Sequence, residues 1–337
     1  MKYRNLGHSG LKVSPLCLGA MMFGRETNAK TADRIVGSAR DAGVNFIDTA
    51  NGYAGGASEK AVGKLIAKDR DKWVLATKGG SVIGPGPFDR GISRKALTKF
   101  LDDSLRRLNI DYIDLYYLHK DDERRTLDET VATLGDMIRA GKIRHWGVSN
   151  FRGWRHVEAI RIADQQGVPR PVASQPYYNA MNRMPETEIL PACAHHGIGV
   201  VPYSPLARGV LTGKYAPGKT PGTSSRAGRG DRRIMETEFR EESLIMAQTI
   251  KTHAEARGMT AGIFALRWLL NNDIVTSVLA GPRTMEHWNG YLAALDGDFT
   301  EEDEALIDQL VVSGHPSTPG YNDPQYDILG RPLRGNA

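Results

Sequence analysis

Apolar runs without polar alternation recur along the chain, and each is followed by a stretch whose apolar residues return every three or four positions. The runs lie near 16–19, 45–48, 73–78, 111–119, 143–149, 172–175, 199–203 and 276–280, eight in all. A strand buried on both faces reads this way, because neither side of its pleat meets water. That is the condition of a parallel sheet covered by helices. The stretches between carry helical periods and caps. Ala61, Val62, Leu65 and Ile66 form one stripe behind Ser58-Glu59. Ser93 opens a helix with Leu97, Phe100, Leu101, Leu105 and Leu108 on one face. Thr126 and Glu129 have the spacing of a capping box ahead of Leu127, Val131, Leu134 and Ile138, with Gly141 as the stop. Pro185 stands in the first turn of a further helix that stops at Gly197. Eight strand–helix units within residues 16–295 predict an α/β fold of the closed (β/α)8 TIM-barrel type rather than an open sheet. No G-x-G-x-x-G follows the first run, so a Rossmann site is not expected.

Three segments fall outside the units. Residues 1–15 read as a hairpin, with Tyr3, Leu6, Leu11 and Val13 flanking the turn His8-Ser9-Gly10. Residues 207–240 form a long Gly/Pro/Arg-rich connection, a length that is usually functional or disordered. Residues 296–337 form a C-terminal helix and a tail, which from 313 shows little periodicity and has prolines at 316, 319, 324 and 332. The expectation is one domain over residues 1–337.

Composition adds exclusions. The 337 residues are 40% hydrophobic and 25% charged, enough for one large core. The net charge of +5 is small and its signs are interspersed, which argues against a nucleic-acid partner. The one basic cluster, Arg226 to Arg233, reads either as a solvated loop or as a phosphate contact. Cys17 and Cys193 are the only cysteines, so neither a disulfide framework nor a C-x-x-C metal site is expected. The N-terminus lacks the apolar core of a signal peptide and no run reaches the length of a membrane span, so the expected location is cytoplasmic, with no membrane partner.

Barrel chemistry sits where the strands end. Asp48 ends the second run, Lys78 the third, His119 the fourth, Ser149-Asn150 the fifth, Gln175 the sixth and Tyr203-Ser204 the seventh, and Gly281 follows the eighth. Polar residues or glycine at seven successive strand ends predict one lined polar rim. Tyr53 stands in a glycine-rich turn five residues beyond Asp48. A Lys78 cation near this phenol favours phenolate and is expected to lower its pKa from about 10. Tyr53 can then donate a proton to a developing alkoxide, while His119 hydrogen bonds to the same oxygen. Taken singly, Lys78 also reads as a rim ion pair, His119 as a core histidine and Tyr53 as packing. Convergence of all four on one barrel mouth favours the catalytic reading.

These residues resemble those of the aldo-keto reductases over nearly the whole length, from the hairpin to about residue 312. The resemblance rests on Phe46-Ile-Asp48-Thr-Ala-x-x-Tyr53-x-x-Gly-x-Ser58-Glu59, on Lys78, on Asp114-Leu-Tyr-Tyr-Leu-His119, on Gly147-Val-Ser149-Asn150-Phe151, on Gln175 and on Pro202-Tyr203-Ser204-Pro205-Leu206-Ala-Arg208-Gly209. The chain is most similar to bacterial members related to potassium-channel β subunits. The resemblance implies reduction of aldehyde or ketone carbonyls with NADPH, NADH remaining open. Tyr53 is then the general acid, Lys78 its pKa modifier, Asp48 the partner of Lys78 and His119 the carbonyl orienter. It also implies that Ser149, Asn150 and Gln175 hold the carboxamide, that Tyr203 stacks under the nicotinamide, and that Ser204, Leu206, Arg208 and Gly209 line the pyrophosphate. Gly281, Arg283 and His287 fall at the adenosine end, with Arg283 placed for the 2′-phosphate. The family continues Gly-x-Arg-x-x-x-Gln-x-x-Glu-Asn; here His287, Gly290 and Tyr291 replace Gln, Glu and Asn. No metal is expected. Phe23, Trp146 and Tyr321 are candidates to line the pocket for a small carbonyl substrate.

Two other functions compete. Lys78 could form a Schiff base in a lyase on the same barrel, and the chain could be a non-catalytic NADPH-binding subunit. Neither the substrate nor the oligomeric state is readable.

Overall fold

The computed structural model describes residues 1–123, 125–326 and 328. A hairpin comes first, β1 (Arg4–Asn5) antiparallel to β2 (Lys12–Val13). Then follow β3 (Leu16–Gly19), α1 (Ala29–Asp41), β4 (Phe46–Asp48), α2 (Ala57–Ile66), β5 (Val74–Gly79), α3 (Arg94–Leu108), β6 (Ile113–Leu118), α4 (Asp128–Arg139), β7 (Ile143–Ser149), α5 (Gly153–Gln166), β8 (Ala173–Gln175), α6 (Ile189–His196) and β9 (Gly199–Val200). The chain continues with α7 (Arg232–Thr237), α8 (Glu241–Ala256), α9 (Ala261–Asn271), β10 (Val278–Ala280), α10 (Met285–Ala293) and α11 (Glu301–Leu310). The sheet is parallel in the order β10-β3-β4-β5-β6-β7-β8-β9. Its two ends meet through a Val200–Val275 bridge and backbone bonds that include Thr276 N–H to the Val200 carbonyl (2.9 Å) and Leu279 N–H to the Pro202 carbonyl (3.1 Å). The eight strands lie where the apolar runs place them, and the fold is the expected (β/α)8 barrel with its N-terminal hairpin.

Alternate residues of each strand face opposite sides, and the apolar core divides accordingly. Leu18, Ile47, Leu75, Tyr116 and Val148 join the layer between sheet and helices. Cys17, Phe46, Ala76, Tyr117, Ala173 and Val201 fill the barrel interior, where Leu6 and Val13 of the hairpin join them. His8 N–H donates to the Gly197 carbonyl at 2.7 Å, which ties the hairpin to the end of the barrel opposite the site. Gly147 is required by this interior: a β-carbon there would lie 2.8 Å from the Tyr117 ring.

Some details differ from expectation. The regular ladder of the seventh barrel strand covers only Gly199–Val200, because Pro202 has no N–H to donate. The fourth barrel strand, β6, runs Ile113–Leu118, shorter than the 111–119 run. The Thr126/Glu129 capping box does not form. Leu127 is the N-cap, without a side-chain cap bond, and the Glu129 carboxylate instead accepts from Arg94 N–H at 2.7 Å, in the first turn of α3. The 207–240 connection is ordered, with a short 3-10 segment at Ala207–Thr212 followed by α7. The tail returns to the barrel mouth: Ser317 bonds to Ser243 (2.8 Å) and Asp323 to Arg233. Pro332 lies outside the described residues.

Candidate functional site

The pleat explains how the rim residues meet. Phe46, Ala76, Tyr117, Gly147, Ala173 and Val201 face the interior or abut it. Two residues later, on the same parity, stand Asp48, Lys78, His119, Ser149, Gln175 and Tyr203. The period of two therefore brings all six onto one layer at the barrel mouth.

The Lys78 ammonium is fully buried and donates to the Asp48 carboxylate, to the Thr49 carbonyl at 3.0 Å and to the Tyr53 hydroxyl at 3.3 Å. Gln175 Nε2 donates to the other Asp48 oxygen at 3.0 Å. The Tyr53 and His119 rings meet edge to face, 5.7 Å between centroids. The four candidate catalytic residues therefore form one cluster. Burial pulls Lys78 down, but Asp48 and Tyr53 together raise it and hold the ammonium form. Burial raises Asp48 against the pull of Lys78 and Gln175. For Tyr53 the expected sign is reversed. Burial raises the phenol, and Asp48 adds to that, by more than Lys78 lowers it. The cation moderates the shift without inverting it, so the phenol is neutral at physiological pH, the form that can donate a proton. Burial, with Lys78 adding to it, pushes His119 down to about 3, so its imidazole is neutral. His119 Nδ1 is buried without a partner.

A further layer holds this cluster from behind, and sequence reasoning missed most of it. Thr77, beside Lys78, donates to Glu59 at 2.6 Å, and Glu59 accepts from Arg107 Nε at 2.6 Å. Thr49, beside Asp48, bonds to Ser58 at 2.8 Å. Between Tyr53 and α2 the backbone passes through three left-handed residues, Ala54, Gly55 and Gly56. Position 56 favours glycine here because its φ is +90°, and a β-carbon would also press on the Arg107 side chain, 2.7 Å from Cδ. Arg107 lies on the apolar-patterned α3, where nothing local singles it out.

The expected carboxamide residues are bonded to one another. Ser149 Oγ donates to the Gln175 carbonyl (2.9 Å), Asn150 Nδ2 to the His119 carbonyl (2.9 Å) and the Tyr203 hydroxyl to Asn150 Oδ1 (2.7 Å). Tyr177 stacks on Tyr203 at 5.5 Å and 24°. Ser204, Leu206, Arg208 and Gly209 occupy the tight turn after β9. Of the six described non-glycine residues in the left-handed region, five stand at this mouth: Ala54, Asn150, Ser204, Ala207 and Arg208. Such conformations cost about 1–3 kcal/mol each and gather at functional sites. Arg208 bonds only to hydroxyls, Thr237 at 2.8 Å and Ser204 at 3.2 Å, with no described carboxylate in ion-pair range. A half-buried guanidinium that lacks an anion, on a turn of strained backbone, fits a pyrophosphate.

At the far end, Gly281 is exposed, Arg283 is half-buried and the exposed His287 accepts from Arg283 N–H at 3.4 Å. Burial lowers His287, and Arg283 and Lys214 lower it further. Lys214 was not foreseen; it brings a further cation near His287, and neither it nor Arg283 has an ion-pair partner among the described residues. The buried Tyr291 hydroxyl bonds to the Gly281 backbone. The basic cluster reads as a salt-bridged surface: Arg226 pairs with Asp231 at 3.0 Å, Arg229 with Glu26 at 3.7 Å, Arg232 with Glu236, and Arg233 with Asp323 at 2.6 Å. A cavity of about 610 Å³ opens beside Asn150 and Tyr203. Tyr321 lines it. Phe23 and Trp146 do not, because both are buried in the sheet–helix layer, where the Trp146 indole donates to the Pro169 carbonyl at 2.6 Å. No described group of three or more His, Cys, Asp or Glu could hold a metal. No helix is long and apolar enough to cross a membrane.

The profile of the Aldo/keto reductase family matches residues 15–312. The chain is 38% identical over 288 residues to a probable voltage-gated potassium channel subunit beta of Arabidopsis thaliana, covering 83% of this chain and 87% of that one. It is 35% identical over 330 residues to the uncharacterized oxidoreductase YrpG of Bacillus subtilis, covering 95% and 98%. It is 33% identical over 324 residues to the L-glyceraldehyde 3-phosphate reductase of Escherichia coli K12, covering 93% of each.

Proposed function

From the premise that this chain belongs to the aldo/keto reductase family and is an oxidoreductase, we propose that it reduces aldehyde or ketone carbonyls to alcohols with NADPH. The observation that carries the proposal is the buried Lys78 ammonium joining the Asp48 carboxylate to the neutral Tyr53 phenol, edge-on to a neutral His119.

A reduced nicotinamide, when bound, supplies the hydride. Tyr53 donates its phenolic proton to the carbonyl oxygen as negative charge develops there. Lys78 stabilises the resulting phenolate, and Asp48 holds Lys78. His119, neutral, orients the carbonyl by a hydrogen bond. Ser149, Asn150 and Gln175 hold the carboxamide and Tyr203 carries the ring. Ser204, Leu206, Arg208 and Gly209 hold the pyrophosphate. Arg283, Gly281 and His287, with Lys214, receive the adenosine end and its 2′-phosphate.

The Lys78 environment argues against a Schiff-base lyase. Its nitrogen is kept protonated by Asp48 and Tyr53, whereas attack on a carbonyl needs the free amine. The likeness to a probable channel β subunit favours a second reading, an NADPH-binding subunit of little turnover. Monitoring NADPH oxidation across aldehydes, ketones and sugars separates the two. No oxidation with any carbonyl, together with tight NADPH binding, would replace the reductase by the subunit.

A further inference from the structure

Glu238 is a fully buried acid that the proposed chemistry does not use. It is the C-cap of α7, where the chain turns towards α8, and neither of its carboxyl oxygens has a hydrogen-bond partner among the described residues. An ionised carboxylate is strongly disfavoured in such a place, because nothing replaces the water it gives up. Burial therefore pushes Glu238 up to about 8, with Asp323 adding to the shift and Arg240 opposing it. Its proton is held at neutral pH by whatever keeps the carboxyl from water.

The tail is part of that enclosure. Tyr321 and Asp323 both interact with the Glu238 charge, and the Tyr321 hydroxyl donates to the Glu236 carbonyl at 3.2 Å. Arg240, the N-cap of α8, is spent on fastening the same segment. Its Nε donates to the Thr318 hydroxyl at 2.7 Å and its Nη2 to the Ser317 hydroxyl at 3.2 Å, while the guanidinium lies 3.7 Å from the Tyr321 ring centroid. Its Nη1 is buried without a partner, so no bond joins it to Glu238. Of the other charged groups on these elements, Arg233 pairs with Asp323, Arg232 with Glu236 and Asp231 with Arg226, and Glu242 accepts from the Thr318 hydroxyl at 3.4 Å.

We propose that Glu238 is a proton-operated catch for the tail: protonated, it allows residues 317–326 to seat against α7 and α8, and its ionisation lifts them from the barrel mouth. The seated segment lines the cavity beside Asn150 and Tyr203, and the Tyr326 hydroxyl bonds to that of Tyr203. Lifting it therefore opens that cavity and frees the Tyr203 hydroxyl from the tail. The direction follows from linkage. A lifted tail returns Glu238 to water and to its ordinary value of 4.5, below that of the seated form. Seating is fully favoured below 4.5, weakens about tenfold per pH unit as pH rises from there to about 8, and changes no further above it. The catch acts whether or not a carbonyl is reduced.

Hydrogen exchange of the unliganded full chain reads the catch directly. Ser317 N–H donates to the Met181 carbonyl at 2.8 Å and is protected while the tail is seated. Once the intrinsic rise of exchange with pH is removed, its protection should fall about tenfold per unit between about pH 5 and 8 in the wild type, while amides of β6 keep theirs. Glu238→Gln, which cannot ionise, should hold the Ser317 protection constant over this range. Glu238→Met, an apolar replacement of similar length, should do the same and serves if the amide variant folds poorly. Constant protection in the wild type would overturn the proposal, and so would an equal fall in either folded variant. A tail that lifts with pH as described, in a protein that oxidises no NADPH with any carbonyl, leaves the catch intact and removes only the reductase reading.

Discussion

The two ends of the candidate site are built by different means. At the Tyr53 end, every side chain stands on a barrel strand or on a turn clamped to one. Lys78 is fully buried, and its three partners are fixed by the ladder and by the Thr77–Glu59–Arg107 chain behind it. At the Arg283 end, the contributors are the turn after β10, the first turn of α10 and a long loop. Their cations are half-buried or exposed and have no carboxylate partner among the described residues. The first end encodes position; the second offers charge to a ligand that brings its own. Proton transfer tolerates little displacement, and rigid elements supply that precision. A phosphate contact is satisfied over a range of geometries, which suits loops.

The sharpest break of this contrast lies at the rigid end. Tyr53→Phe should reduce turnover by about 10²–10⁴-fold, the usual worth of general acid catalysis, and leave NADPH affinity near wild type by fluorescence titration. Turnover within a few-fold of wild type would remove Tyr53 from its role. Lys78→Met should also abolish turnover near neutrality, and its pH profile has a definite sign. Lys78 lowers the Tyr53 pKa, so its loss should move the alkaline limb of any residual kcat/KM to higher pH. Since His119 is pushed down to about 3, neither profile should show an ionisation near 6.5 from this residue; a limb there that vanishes in His119→Asn would refute the neutral imidazole.

The charged end should give a smaller and more selective effect. NADPH should bind more tightly than NADH, and Arg283→Ala should remove most of the difference, about 10–150-fold for a charge-assisted bond of roughly 1.5–3 kcal/mol. Equal wild-type affinity for both nucleotides would end the NADPH assignment. A preference that survives Arg283→Ala but is lost in an Arg232/Arg233 double alanine variant would place the 2′-phosphate on the basic loop. Between the ends in size is the support layer. Arg107→Met should lower kcat about tenfold, by misplacing groups rather than removing one, with KM and NADPH affinity kept; an unchanged kcat in a folded variant would make the Arg107–Glu59 pair purely structural. The smallest effect belongs to Tyr291→Phe, which removes the hydroxyl bonded to Gly281. It should weaken both nucleotides alike, by about fivefold for one net hydrogen bond; a change confined to NADPH would tie Tyr291 to the phosphate instead.

Much of this was legible in the chain. Apolar runs without alternation disclose strands buried on both faces, and a polar residue after each, from Asp48 to Tyr203, discloses the lined rim. Capping by Ser93 and the stops at Gly141 and Gly197 are local events, and they appear where the sequence places them. The Thr126/Glu129 box is absent because the helix starts one residue later, with Leu127 as N-cap, and the Glu129 carboxylate accepts from the distant Arg94 N–H instead. Trp146 was misplaced as a pocket residue because a strand that is apolar throughout does not say which parity faces the interior.

By itself, then, the sequence determined the succession of strands and helices and the kinds of group at the strand ends, since both follow from short-range periodicity and residue chemistry. Only the tertiary structure decided the direction of the Tyr53 shift, because burial depends on what the fold packs around the phenol. It alone brought Arg107 to Glu59, the Lys214 charge to bear on His287 and Tyr326 of the tail to Tyr203. These pairs lie tens to more than a hundred residues apart, and no local pattern links residues whose contact arises only when the barrel closes.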